Sequence, residues 1–276
     1  MLTLILKVKE KIKFNFKYLV FILIISSAIS IYIAFTYDDN NIKSLSMNLG
    51  AGLVEIIITI CFVQYAIDKQ SEKRECIEEK NAILRYDRIM QIYIEKYAMF
   101  HYCLSTPIDK RENLIDKIIL KTDFKFNDMY DLYRPSMYLC NGITKTGVEE
   151  FYQAEGILCS YMIRELENIQ FKYNYKLKSI IQNFIEYSLK HDGKNAILSN
   201  MDLHGDKQRY VDMVSDWIRN ADDDLVDKVH NDAMGKSLLI LYVCLYELLI
   251  SEAKLIIEYN SYIEKIKKQT KQTKHI

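Results

Sequence analysis

Two apolar stretches stand back to back near the start of the chain, Tyr18 to Tyr37 and Ser44 to Ile67, parted by a short loop carrying Asp38, Asp39 and Lys43. About 20 apolar residues at ~1.5 Å rise match a hydrocarbon core of ~30 Å, so each stretch predicts a membrane-crossing helix. The expected hairpin covers residues 18–67, with spans near 18–37 and 47–67 and an external loop at 38–46. A basic flank precedes the first stretch, as in a signal peptide. The run is longer than an ordinary signal core, no small-residue cleavage site follows, and a second span comes at once, so the hairpin is expected to persist.

The pattern then changes. From Asp68 to Asn81 charges of both signs crowd a segment that predicts a solvated stalk helix continuing the second span. Ile83, Tyr86, Met90, Tyr93, Tyr97, Phe100 and Leu104 recur at three and four residues, the seam of a buried helix that Ser105-Thr106-Pro107 should stop, with Thr106 capping the next one. Further helices are expected near 108–121, 127–133, 146–170, 175–190 and 206–219. One apolar face runs through Val148, Phe151, Tyr152, Leu158, Tyr161, Met162, Leu166 and Ile169, another through Ile180, Ile181, Phe184, Ile185 and Leu189. Breaks are expected at Asn141-Gly142, Asp192-Gly193 and His204-Gly205, where glycine offers a left-handed backbone.

A last helix, near 236–268, opens with the apolar run Leu238 to Ile250. That run is too short for a third span and charges follow it, so it predicts a buried core helix. Leu238, Tyr242, Leu245, Leu249, Ile256, Tyr259, Ile263 and Ile266 keep a four-three rhythm, suited to pairing with the helix through Ile83 to Leu104 or with a second copy. The fold class is therefore all-α: a two-helix transmembrane hairpin, then a cytoplasmic helical bundle over 68–264 with a long stalk helix, and a basic tail at 265–276. Eight glycines and two prolines in 276 residues agree with few tight turns.

Charge orients the hairpin. Lys7, Lys9, Lys11, Lys13 and Lys17 precede the first span and Lys69, Lys73, Arg74, Lys80, Arg85 and Arg88 follow the second, so the positive-inside rule places both termini in the cytoplasm. The 37 basic and 37 acidic residues cancel, which argues against sequence-specific nucleic-acid binding. Lys265, Lys267, Lys268, Lys271, Lys274 and His275 form a tail that reads as a solvated end or a contact for anionic lipid or nucleic acid. Six cysteines without CxxC spacing suit a reducing compartment.

Within the spans, Ser26, Ser30 and Ala34 fall four apart, a small-residue face that lets another helix approach. Gly50, Ala51 and Gly52 open the second span, and Ala51, Glu55 and Thr59 form a stripe along it. A carboxylate in a span is costly, so Glu55 is expected to pair helices, to line an oligomeric pore, or to sit at the headgroups.

No phosphate loop, HExxH, CxxC or nucleophile elbow is present, and no catalytic residue, cofactor site or metal centre is expected. Asp223, Asp227 and His230 have helical spacing that could gather a metal, but an acidic solvent-facing helix explains them as well. His101, His191 and His204 are expected to be packed or surface residues, and Trp217 a boundary residue.

The segment Asn48-Leu49-Gly50-Ala51-Gly52-Leu53-Val54-Glu55, opening a span that runs into Asp68-Lys69-Gln70, resembles a widespread group of bacterial inner-membrane proteins. Within it the chain is similar in architecture to the two-helix transmembrane effectors of anti-phage defence, in abortive-infection loci and retrons; Phe126 to Ser136 and Leu238 to Ile250 also resemble related proteins. The resemblance implies a homo-oligomerising effector in the bacterial inner membrane, held inactive by a protein or ribonucleoprotein partner such as a reverse transcriptase with its RNA-DNA product. On release it would permeabilise the bilayer and arrest or kill the cell. The alternative is a non-toxic membrane-anchored helical sensor or scaffold that binds a cytosolic partner. A membrane-bound enzyme would need a pocket around Asp223, Asp227 and His230.

Overall fold

The structure, a computed structural model, describes residues 2–36, 39–111, 120–140, 143–199, 207–222, 224–230 and 239–273. Two compact units divide it, Met1–Glu75 and Cys76–Ile276. The chain is predominantly helical, as the periodicity predicts, with one small antiparallel sheet among the described residues.

In the first unit, α1 (Leu2–Thr36) and the opening of α2 (Asn40–Ser105) carry the apolar stretches. The connection is far shorter than the expected loop at 38–46. Asp39 accounts for the early restart: its side chain accepts from Asn41 N at 2.8 Å and its carbonyl from Lys43 N at 2.9 Å, supplying acceptors for the first free amides of α2. The side chains of Lys7, Lys9, Lys11, Lys13 and Lys17, and Asp38 altogether, lie outside the described residues.

In the second unit α2, α3 (Gly147–Asn168), α4 (Tyr175–Lys190) and α8 (Ile240–Thr273) pack side by side. Hydrogen bonds from Lys80 to Gln269, Gln91 to Asn260 and Tyr97 to Glu252 run α2 antiparallel to α8. Tyr86 and Tyr93 meet Tyr161, and Tyr97 meets Phe151, so α3 is antiparallel to α2 as well. The seam through Ile83, Met90, Tyr97, Phe100 and Leu104 is buried, and so is α8 from Tyr242 through Ile266 at the four-three positions. The rhythm of α8 is thus spent within the chain; Leu238 lies outside the described residues. Short helices α5 (Lys194–Ser199), α6 (Lys207–Arg219) and α7 (Leu225–His230) add Ile197, Val214, Ile218 and Leu225 to the core.

Several expectations need correction. The helix expected near 108–121 begins as a single 3-10 turn, Ile108–Lys110, capped by Pro107; residues 112–119 lie outside the described set. Thr106 does not cap it, and the buried Thr106 hydroxyl has no hydrogen-bond partner among the described residues. Arg111 instead turns back to Cys103 O at 2.6 Å and Thr106 O at 2.8 Å, closing the end of α2. The helix expected at 127–133 is another 3-10 turn, Phe126–Met129. Here Asp128 caps the start of the turn by accepting from Lys125 N, Asp131 is taken by Ile108 N of another segment, and Leu132 N reaches Met129 O at 3.1 Å, so the backbone bonds keep three-residue spacing.

Strands β1 (Pro135–Cys140) and β2 (Ile143–Thr146) pair antiparallel, with an irregularity between Pro135 and Leu139. The expected break at Asn141-Gly142 lies outside the described residues, as does His204-Gly205. Thr146 ends β2 and starts α3: its hydroxyl accepts from Glu149 N while Glu149 accepts from Thr146 N at 2.8 Å, a reciprocal capping box. Gly193 is not left-handed; a Cβ there would lie 3.3 Å from the His191 ring and 3.5 Å from Leu241, so close approach is what it serves. The left-handed residue is Phe171, φ 48°, buried at the turn from α3 into α4. Leu189, expected on the core face of α4, is 71% exposed.

Candidate functional site

The apolar helical pair is built inside out. Ser27, Ser30, Ala34 and Gly50 are buried between α1 and α2, while Phe21, Ile29, Phe35, Ile58 and Phe62 face outward. A water-soluble protein does the reverse. Ser27 Oγ donates to Gly50 O at 3.3 Å, and a Cβ on Gly50 would fall 3.0 Å from Ile31 Cγ1 and 3.7 Å from the Ile31 backbone nitrogen. Gly50 is therefore the point of closest approach, the role small residues play where lipid gives no hydrophobic drive. Both helices are long and apolar enough to cross a membrane, by length and composition.

The sequence-predicted residues divide between two faces. Ser30 and Ala34 pack within the pair, with Ser26 half-buried and its carbonyl accepting from Ser30 Oγ at 3.0 Å. The small-residue face of α1 is thus filled by α2 of the same chain. Gly50 joins it, whereas Gly52 has nothing within 4 Å of where its Cβ would be. Ala51, Glu55 and Thr59 are exposed on another side of α2, away from the face that buries Gly50 and half-buries Leu53, Ile57 and Ile60. Thr59 Oγ1 donates to Glu55 O at 2.9 Å, bonding back one turn, and the Glu55 carboxyl meets no donor or cation among the described residues. Ser27, unnoticed in the sequence, sits in the same small-residue run as Ser26.

The second unit holds buried polar chemistry that periodicity concealed. Glu79, in the segment expected to be solvated, accepts from Tyr173 N at 3.1 Å, Asn174 N at 2.9 Å and Asn174 Nδ2 at 2.8 Å. It thereby caps α4, whose own N-cap residue Asn174 makes no side-chain cap bond. Glu252 is fully buried; one oxygen accepts from Tyr97 at 2.8 Å and the other has no partner among the described residues. Glu155 accepts from Ser188 and lies 3.7 Å from Lys194. His101 is fully buried, 3.2 Å from Leu249 O, and burial lowers its pKa to about 4. The neutral ring donates through Nε2 to that carbonyl.

A groove of about 440 Å³ between α4 and α8 is lined by Tyr187, His191, Cys244, Tyr246, Glu247 and Ser251, among others. Burial and then Glu247 raise the Cys244 pKa, which keeps the thiol protonated rather than nucleophilic. His191 stands 2.7 Å from the Tyr152 hydroxyl, its pKa lowered by burial and then by Lys194. Among the described residues no group of His, Cys, Asp and Glu is placed to hold a metal. Asp223 and the His230 side chain lie outside those residues, and Asp227 is exposed. Trp217 is 38% exposed, a boundary residue. A scan against protein-family models finds no matching model, and searches of curated proteins and of solved structures return no match.

Proposed function

We propose that the chain is an inner-membrane effector of an anti-phage defence system. In this reading α1 from Tyr18 and α2 to Ile67 form a transmembrane hairpin, both termini are cytoplasmic, and residues 68–264 form a cytoplasmic helical bundle. Partners hold the hairpins apart, and their release lets copies assemble and permeabilise the bilayer. The observation that carries the reading is the outward stripe of Ala51, Glu55 and Thr59 on an inside-out helical pair. A carboxyl facing lipid within a span costs up to about 2.5–3.5 kcal/mol on insertion scales, a cost a second copy or a water-filled pore relieves. The faces that close the hairpin and the face that carries the carboxyl are separate, so one surface folds the chain while the other remains for assembly.

The test is unrepressed expression with dye uptake and membrane potential as readouts. Wild type should depolarise the membrane. Glu55→Gln and Ala51→Leu should restore the potential while leaving the protein inserted, because neither residue lies in the α1–α2 contact. An intact potential at high wild-type expression would overturn the proposal.

A further inference from the structure

Two buried glutamates of the second unit, Glu165 and Glu252, each lie in the field of a carboxyl on a neighbouring helix, Asp87 and Glu155, and each keeps at least one buried oxygen without a donor among the described residues. In one pair, Asp87 of α2 is 3.2 Å from Lys267 and accepts from Gln91 at 2.8 Å, whereas Glu165 of α3, fully buried, has no hydrogen-bond donor on either oxygen among the described residues. In the other, Glu155 of α3 takes Ser188 and Lys194, whereas Glu252 of α8 keeps one buried oxygen without a partner. Each pair therefore has one cation for two carboxyls. Around Glu165 the remaining titratable groups are Tyr161 on its own helix, Tyr86 and Tyr93 on α2, and Tyr259 on α8, whose buried hydroxyl faces the same pair. Around Glu252 they are Tyr97 on α2, Tyr152 and Cys159 on α3, and Lys194 on α5.

We propose that these half-neutralised pairs, Glu165 with Asp87 and Glu252 with Glu155, form a proton-operated latch: the closed unit holds one proton in each pair and releases both when α3 separates from α2 and α8. An unpartnered buried carboxylate beside a second carboxylate is doubly penalised, by lost hydration and by like charge, and a bound proton removes both penalties. The pKa values agree. Burial, then Asp87, raises Glu165 from 4.5 to about 8, and burial, then Glu155, holds Glu252 well above the carboxylate range. A raised folded pKa gives stability that is present below the unfolded pKa and declines as pH rises towards the folded one. Neutral pH lies inside that window. His101 and His191 do not interfere there, since both are lowered by burial and already neutral.

Hydrogen-exchange protection factors of α3 amides, measured on the full chain in detergent between pH 7 and 8, test the latch. The opening constant should rise by up to about a hundredfold per pH unit in wild type, by up to about tenfold in Glu165→Gln, and not at all in Glu165→Gln/Glu252→Gln. Protection independent of pH in wild type, or a wild-type slope in either variant, would overturn the proposal. Should a variant fail to fold, infrared titration of wild type decides: a protonated-carboxyl C=O band at pH 7 that diminishes through pH 8 supports the latch, and its absence at pH 7 refutes it.

Discussion

Replacing Glu79 with alanine should unfasten the start of α4. The carboxylate receives hydrogen bonds from Tyr173 N, Asn174 N and Asn174 Nδ2, and Asn174 is buried, so water cannot freely take its place. A lost cap costs ~0.5–2 kcal/mol, and removing a negative charge from a helix N-terminus adds ~0.3–1 kcal/mol. The three bonds share one acceptor group and do not add independently, so the expected total is about 1–3 kcal/mol. For a unit of this size each kcal/mol moves Tm by about 2–4 °C, which places Glu79→Ala ~2–12 °C below wild type. Glu79→Gln keeps an acceptor oxygen but not the charge and should fall between. Glu95→Ala, an exposed residue on the same helix, should stay within ~0.5 kcal/mol. Thermal unfolding of the full chain in detergent is the assay. A Glu79→Ala Tm equal to that of Glu95→Ala would refute the remote cap.

Other expectations follow from the two units separately. Gly50→Leu should open the α1–α2 contact, read as loss of a disulfide between cysteines engineered at Ser27 and Gly50 neighbours, whereas Gly52→Ala should leave that crosslink intact, since only Gly50 has a neighbour within 4 Å. His101 is lowered to about 4 by burial, so its stabilising share is present above the unfolded value of 6.5 and lost as pH falls towards 4. His101→Phe, keeping ring contacts to Tyr97 and Phe124, should flatten acid denaturation between those pH values by up to ~3 kcal/mol, measured by denaturant titration. Lys267→Met should leave the buried Asp87 without its cation and lower Tm, and Asp87→Asn/Lys267→Met should recover part of the loss, because stranding a buried carboxylate costs more than replacing the half-buried pair.

Helix identity was legible wherever a long apolar rhythm stood alone. The seam from Ile83 to Leu104 and the positions Tyr242 to Ile266 report burial directly, because side chains at three and four residues share a face. Side-chain roles set by distant partners were not legible. Glu79 sits among charges that look solvated, and only the arrival of Asn174 distinguishes it from Glu78. Glu165 and Glu252 carry a surface-type side chain into the core, against the preference that pattern reading relies on. The 3-10 turn at Phe126–Met129 mimics a helix in periodicity, but its backbone bonds run to the third residue and Asp131 is held by Ile108 N of a distant segment, which is a tertiary matter. In the apolar pair the small residues were visible, but spacing alone could not tell that Ser30 and Gly50 meet inside one chain while Ala51 and Glu55 face out.

The pairing of α2 with α8 also fixes an order of events during synthesis. Lys80 and Gln269 are 189 residues apart, and His101 and Leu249 148 apart, so the second unit is closed by its own last helix. At ~5–20 residues per second, α8 emerges roughly 10–40 s after the α2 residues it must cover. The two apolar helices are complete well before then, and for that interval the nascent chain carries them without the finished domain.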